Sequence, residues 1–258
     1  MGACALAENN EFYVTGYGSF DISSGYVLYG ARSNDEPCYW TYGEVTAGYG
    51  KFGSLGFSVW QNSDMTGRRQ DQMRRMNEWD WAVFYRGGID LPGDCRLTVE
   101  VGHVWYVYGG VKPSYEEYYH TMEEWSARFA LENPYVTPYF EYYYDHQVYE
   151  GAFMQGGLRH QFELPFGLLL TPDLTIGGGD GNYNACMYPP FDGSVGGGIT
   201  YVQLKGTLQY WFNDHFGVHL KVAYVSLVNG DIRDAVDASG APYVNDHVWG
   251  TIGVDFAF

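Results

Sequence analysis

The last eleven residues, Val248 to Phe258, alternate large apolar side chains with small or polar ones up to a terminal phenylalanine. A strand points successive side chains to opposite faces. One face therefore carries Val248, Ile252, Val254, Phe256 and Phe258, and the other carries Thr251, Gly253, Asp255 and Ala257. Chain ends usually fray into water. An aromatic strand at this position therefore needs firm neighbours, which a closed barrel supplies and an ordinary sandwich supplies less often.

Composition bears on which of the two it is. Aromatic residues make up 19% of the chain, with 25 Tyr and 8 Trp, against 17% charged residues. Tyr and Trp have one apolar and one wet end and collect at membrane–water interfaces. No segment approaches the roughly 18 consecutive apolar residues of a transmembrane helix. A membrane-spanning form of this chain must therefore be a closed barrel, the only alternative that satisfies its own backbone. The 35 glycines fit a sheet that bends and twists on itself. With 14 basic and 31 acidic residues the formal charge is −17, which excludes a phosphate-binding surface for nucleic acid. Much of the acid falls in candidate loops, at Asp35, Glu36, Glu116, Glu117, Asp180, Asp192, Asp231, Asp234 and Asp237. There it keeps the loops solvated or meets divalent cations at a lipopolysaccharide surface.

Alternating segments recur along nearly the whole chain, between clusters of turn-forming residues. They predict strands near 22–31, 41–50, 54–61, 79–89, 95–108, 122–131, 136–145, 150–162, 168–177, 198–212, 216–228 and 247–258. Residues 12–20 either extend the first strand or lead into it. Lys51-Phe52-Gly53, Leu91-Pro92-Gly93-Asp94, Glu132-Asn133-Pro134, Leu164-Pro165-Phe166-Gly167 and Asn213-Asp214-His215 read as short turns. Longer links at 32–40, 62–78, 109–121, 178–197 and 229–246 alternate with them, apart from a tight one after Asp145-His146-Gln147. Sorting links by parity is the pattern of a transmembrane barrel, with short periplasmic turns and longer external loops. The expected fold is thus all-β: an up-and-down antiparallel transmembrane barrel of about twelve strands over residues 12–258, both termini periplasmic. Residues 1–11 form an N-terminal segment in which Ala5-Leu6-Ala7 resembles the end of a signal peptide.

Facing follows from the alternation. Leu97, Val99, Val101, Trp105 and Val107 oppose Arg96, Thr98, Glu100 and Gly102, and Val202, Leu204, Leu208 and Phe212 oppose Gln203, Lys205, Thr207 and Gln209. Periodicity alone does not say which face is inside. Strand length does, because most of these strands reach the roughly 9–11 residues that cross a bilayer. The polar faces then line the lumen with Glu44, Asp80, Arg86, Glu100, Glu124, Arg128, Glu141, Arg159, Lys205, Lys221 and Asp255. These groups either build a field across a water-filled pore or pair with one another and fill the barrel.

Catalytic constellations are absent from the sequence pattern. His103, His146, His160 and His219 and the strand serines Ser58, Ser126 and Ser226 form no His-x-Ser arrangement. The pairs Asp145-His146 and Asp246-His247 point to opposite faces if they lie on strands. Hydrolase activity is therefore the less favoured reading. No metal site is expected, because His215 and His219 would lie roughly 13 Å apart along a strand, and no cofactor is expected either. The glycine runs Gly177–Gly179 with Gly181, and Gly196–Gly198, show no strand-to-helix phosphate motif. The one basic cluster, Arg68, Arg69, Arg74 and Arg75, sits in the second long link, after the third strand, beside Asp71 and Glu78. Four cysteines in an oxidising envelope compartment suggest disulfides. Topology puts Cys38 and Cys186 outside and Cys4 and Cys95 at the periplasmic end, so the expected bridges are Cys38–Cys186 and Cys4–Cys95.

The ending on Phe256 and Phe258 resembles that of Gram-negative outer-membrane barrels, and implies a signal read by the barrel-assembly machinery. The segments Tyr26-Val27-Leu28-Tyr29-Gly30, Ser33-Asn34-Asp35-Glu36-Pro37, Tyr42 to Tyr49 and Phe57-Ser58-Val59-Trp60 resemble the opening of the TorF-type porin family. Gly157-Leu158-Arg159-His160 with Leu164-Pro165-Phe166-Gly167, and Asn213-Asp214-His215-Phe216, fit the same family's later hairpins. The resemblance implies a bacterial outer-membrane barrel in contact with lipid and lipopolysaccharide, without catalytic residues. The function expected is passive diffusion of small hydrophilic solutes, with a non-conducting structural or surface-binding barrel as the alternative.

Overall fold

The computed structural model describes residues 11–65, 73–111, 121–188, 195–239 and 243–258. Twelve long antiparallel strands form the wall. They are β1 (Phe12–Ser23), β2 (Cys38–Tyr49), β3 (Ser54–Asp64), β4 (Met73–Leu91), β5 (Cys95–Val111), β6 (Thr121–Glu132), β7 (Thr137–Asp145), β8 (Gly151–Arg159), β9 (Leu168–Gly179), β10 (Gly198–Trp211), β11 (Phe216–Leu227) and β12 (Asp246–Ala257). Each strand pairs with its sequence neighbours. The ring closes where β1 meets β12, from Tyr17 opposite Ala257 to Ser23 opposite Thr251. At the seam Gly16 and Phe258 exchange both backbone hydrogen bonds, at 2.9 and 3.0 Å. The Phe258 ring lies so close over Gly16 that a Cβ there would come within 2.1 Å of it. A side chain at 16 would have to push that ring aside.

Burial alternates along each strand, and the exposed set is apolar. On β12, Val248, Ile252, Val254 and Phe256 are exposed while Thr251, Gly253 and Asp255 are buried. A soluble barrel would show the reverse order. Aliphatic residues such as Val14, Val45, Val83, Leu174, Leu204, Leu220 and Ile252 form an outward middle band. Aromatic residues flank it: Phe52, Tyr135, Phe166, Phe212 and Phe258 at the rim of short turns, and Trp79, Trp81, Trp125, Tyr144 and Tyr224 toward the rim of long loops. Phe166 is 91% exposed and Tyr135 84%, a cost in water that a lipid interface removes. The wall is therefore built to span a membrane.

Two sequence expectations about the wall are corrected. The first strand is Phe12–Ser23, not 22–31. After Ser23 the chain leaves the wall and makes a small hairpin of its own, Tyr26–Leu28 against Ala31–Asn34. Its tip holds Tyr29 at φ +46 and Gly30 at φ +84, the left-handed pair that a tight hairpin needs. Alternation continued through this segment, so periodicity alone could not see the exit. The glycine run Gly177–Gly179 does lead from a strand into a helix, α1 (Gly181–Met187). Asp180 caps that helix, accepting from the Tyr183 N–H at 2.9 Å, and its other oxygen accepts from the Ala152 N–H at 2.8 Å. The seven-residue helix start is thus occupied by the chain's own carboxylate. A second helix, α2 (Gly230–Ser239), fills the link before β12.

The disulfide Cys38–Cys186 is not formed; Cys38, Cys95 and Cys186 are free thiols. Both do lie on the loop side, but β2 is five strands from β9 and six from β8 around the ring, and α1 packs on β8 and β9. Shared height on a barrel does not mean proximity, and a bridge needs Cα atoms within about 7 Å. Cys95 starts β5 and its thiol donates to the Gly93 carbonyl at 3.4 Å. Its expected partner Cys4 lies outside the described residues, as do Arg68 and Arg69; the side chains of Arg74 and Arg75 are likewise not described.

Candidate functional site

The interior has two storeys. The lower, nearer the short turns, is a belt of charges set by strand register. Arg86 stands opposite Glu100, Glu100 opposite Arg128, Arg128 opposite Glu141, and Glu141 opposite Gln155. Directly opposed side chains on one face are in reach of each other, and here they bond. Arg86 donates to Glu100 at 2.6 Å and Arg128 to Glu100 at 3.0 Å. Arg128 also reaches the Tyr143 hydroxyl at 3.2 Å, which donates to Glu141 at 2.8 Å, while Gln155 donates to Glu141 at 2.6 Å. Between β2 and β4 the inward residues of β3 are small, Ser54, Gly56 and Ser58. Arg86 spans that gap to Glu44 at 2.8 Å.

The belt continues on the far wall. Lys205 pairs with Asp173 at 3.1 Å, Tyr139 donates to Asp173 at 2.8 Å, and the Arg159 guanidinium lies 5.5 Å from the Tyr139 ring centre. At the seam His219 bridges two carboxylates, Asp21 at 2.6 Å and Asp255 at 2.9 Å, both buried. Lys221 adds a contact to Asp21 at 3.1 Å, and Tyr17 and Gln209 donate to Asp255 at 2.6 and 2.9 Å. Apart from Arg159, which lies over the Tyr139 ring, each of these charges meets an opposite charge or a donor, the condition under which buried ions are tolerated.

The upper storey is apolar and comes largely from the loops. Tyr29, from the hairpin after β1, crosses the barrel to stack on Phe153 of β8, ring centres 4.2 Å apart, with Tyr143 at 5.5 Å and Tyr183 of α1 at 6.0 Å. The Tyr188 hydroxyl donates to the Tyr29 carbonyl at 2.7 Å. Gly30 meets Tyr201, whose ring would lie 2.4 Å from a Cβ at that position. Met187, Val195, Leu227, Ile232 and Val236 complete a buried cluster under α1 and α2. Glu124 lies at its base, accepting from the hydroxyls of Tyr106 at 2.6 Å and Tyr183 at 2.9 Å.

Between the storeys is a cavity of about 340 Å³. Tyr26, Trp40, Trp60, Phe84 and Tyr106 face it together with Glu44, Asp80, Glu100 and Arg128. Asp80, one of the residues that line this space, has a buried carboxylate oxygen without a hydrogen-bond partner among the described residues. The eleven charged residues read from the strand pattern thus fall in three places. Glu44, Arg86, Glu100, Arg128 and Glu141 are brought into one network. Arg159, Lys205, Lys221 and Asp255 sit on the far wall in separate contacts, and Asp80 and Glu124 lie higher, beside the aromatic cluster. The sequence reading missed Asp21, Asp173 and the bridging role of His219. Asp21 fell between the segments read as 12–20 and 22–31, and Asp173 lay inside the predicted strand 168–177 but was not singled out; their place next to apolar neighbours was the available signal. The inward hairpin gave no such signal, since its tyrosines match the wall's own composition.

No known family model matches the chain, and no curated protein matches it. Among solved structures it is similar to the KdgM porin in complex with disordered oligogalacturonate, at 8% identity and a TM-score of 0.50 over 95% of this chain and 99% of that one. It is also similar to outer membrane phospholipase A from Escherichia coli, at 15% identity and a TM-score of 0.49 over 94% and 92% of the two chains. At 8% identity the likeness to the KdgM porin is one of fold alone.

Proposed function

We propose that the protein is a narrow outer-membrane channel for small hydrophilic solutes, closed in this conformation by its own first loop. The observation that carries the reading is the Arg86–Glu44–Glu100–Arg128–Glu141 belt, a band of paired charges on the inner face of β2 to β7 in a wall whose outer face is apolar. Charged side chains that line a lumen act on passing solutes through their local field. Twelve strands lie between the eight-stranded barrels that side chains fill and the sixteen-stranded ones that leave a wide channel. The residues quoted for the TorF-type resemblance include the hairpin Tyr26–Gly30, which is the segment that folds inward. In this reading the long links face outward from the cell and the rim of short turns faces the periplasm.

A second reading is favoured by the aromatic cluster. Tyr29, Phe153, Tyr143 and Tyr183 pack together in the interior toward the loop side, an arrangement that suits a barrel that conducts nothing and presents its loops for binding. Planar-bilayer recording separates the two. The channel reading expects small, infrequent conductance steps for the native protein. It expects larger and longer ones when residues 25–35 are replaced by a short Gly-Ser linker. Silence from both, in protein with heat-modifiable gel migration, establishes the non-conducting barrel.

A further inference from the structure

The outer wall carries a cluster that the lumen does not use. His103 of β5, Glu123 of β6 and His146, the first residue after β7, lie side by side near the loop rim. Register assembles them: His103 stands opposite Trp125 and Trp125 opposite Tyr144, which puts Glu123 one step above and His146 just past the strand end. The tight link after β7 fixes the last of the three. Asp145, buried, accepts from the N–H groups of Gln147, Val148 and Tyr149 at 3.0, 2.7 and 2.6 Å. The His146 N–H donates to the Glu123 carbonyl at 3.4 Å. No sequence spacing announces this group, because its members come from three elements 20 and 23 residues apart.

We propose that His103, Glu123 and His146 bind one divalent transition cation of the Zn²⁺ class. Three atoms converge: Nε2 of His103, Nε2 of His146 and one oxygen, Oε2, of Glu123. Their separations are 3.3, 3.5 and 3.7 Å. Metal–ligand bonds of about 2.0–2.1 Å at tetrahedral angles place neighbouring ligand atoms about 3.3–3.4 Å apart. The three atoms already form one face of such a tetrahedron. Hydrogen bonding explains the arrangement less well, since two neutral imidazoles can share only one proton between their facing nitrogens. A cation satisfies all three lone pairs at once.

The donor set also selects the class. Two imidazoles with one carboxylate suit Zn²⁺ and its borderline neighbours, whereas Ca²⁺ and Mg²⁺ take oxygen ligands. The His103 ring is clamped between Trp105 and Trp125, with centroids 4.3 and 4.5 Å away, which holds its Nε2 toward the other two ligands. Side-chain exposures of 12% for His103, 27% for Glu123 and 34% for His146 leave the fourth position open outward. That position faces the aromatic belt at the loop rim, where water or a headgroup oxygen can complete the coordination. Bound there, the ion ties β5 and β6 to the β7–β8 link.

Titration of the untagged, detergent-refolded full chain with ZnCl₂, and separately with CoCl₂, tests this by calorimetry and by the visible absorption of Co²⁺. One equivalent of each should bind, with the intense band of four-coordinate Co²⁺. His146→Ala removes a ligand from a link, outside the wall, and should weaken binding by more than the roughly 10–100-fold typical of losing a supporting hydrogen bond. Glu123→Gln should do the same, and His160→Ala should change nothing. Heat-modifiable migration verifies that each variant is folded. No saturable binding by the native chain, or one equivalent retained at unchanged affinity in both ligand variants, overturns the proposal.

Discussion

Replacing Tyr29 by alanine tests whether the first loop is a latch. The Tyr29 ring contacts three others, Phe153, Tyr143 and Tyr183, at centroid distances of 4.2, 5.5 and 6.0 Å. Aromatic pairs contribute about 0.5–1.5 kcal/mol each beyond the area they bury. Deleting a fully buried ring costs about 3–5 kcal/mol, and Tyr29 is only partly buried. The backbone anchor survives, because the Tyr188 hydroxyl donates to the Tyr29 carbonyl and not to its side chain. Alanine also inherits the left-handed backbone at φ +46, so no strain is released in compensation. The net loss for the docked loop is therefore about 2–3 kcal/mol. At about 1.4 kcal/mol per tenfold, the docking equilibrium shifts roughly 30- to 140-fold toward the undocked state. Two assays read the same shift. Open probability in planar bilayers should rise, and proteolysis within residues 24–37 of the detergent-solubilised barrel should accelerate in proportion. A folded Tyr29→Ala barrel with native conductance and native cleavage rate would refute the latch.

Other perturbations probe the wall and its contents. Gly30→Ala combines a φ of +84 with a 2.4 Å approach to Tyr201, so it should undock the same loop and reproduce the Tyr29→Ala phenotype in both assays. Gly16→Val should block the seam against Phe258, and is read as loss of the heat-modifiable band after refolding. His219→Ala leaves Asp21 and Asp255 facing each other without their bridge and should lower the urea midpoint of unfolding by several times the shift seen for His215→Ala at the exposed turn. Mass spectrometry of non-reduced, alkylated peptides should find Cys38, Cys95 and Cys186 free. Cys186 should label slowly in the folded barrel, since burial in α1 holds its thiol above the ordinary range.

Strand number, link parity and facing were legible because a membrane wall repeats one rule at every second residue. The register of Val248–Phe258 could be read directly, and so could the outward band of β5 and β10. What the chain did once it left the wall was not legible. Tyr26–Tyr29 carries the same aromatic alternation as a strand, and only the left-handed turn at Tyr29-Gly30 distinguishes it. Cys38 and Cys186 show the same limit from another side: sequence gave height along the barrel axis but not azimuth around it. The charged belt was recognised residue by residue, whereas its connectivity depended on register, which sets Arg128 between Glu100 and Glu141. His103, Glu123 and His146 needed register too, as well as the turn that Asp145 nucleates.

Closure through β1 and β12 sets the order in which this molecule can form. Eleven of the twelve wall pairings join strands adjacent in the sequence, and each can zip as a local hairpin. The twelfth joins residues separated by 238 positions, as in Tyr17 to Asp255. Loop closure over that distance rewards nothing until both edges are present. Until residues 246–258 are in place, β1 is an open edge with unmet hydrogen bonds in a hydrocarbon solvent, and so is whatever strand stands last. The wall therefore grows as a curled sheet with two sticky margins, and something must shield them for that interval. The contacts Asp21–His219–Asp255 and Gly16–Phe258 then act in time as much as in space, as the clasp that ends the molecule's exposure to mispairing.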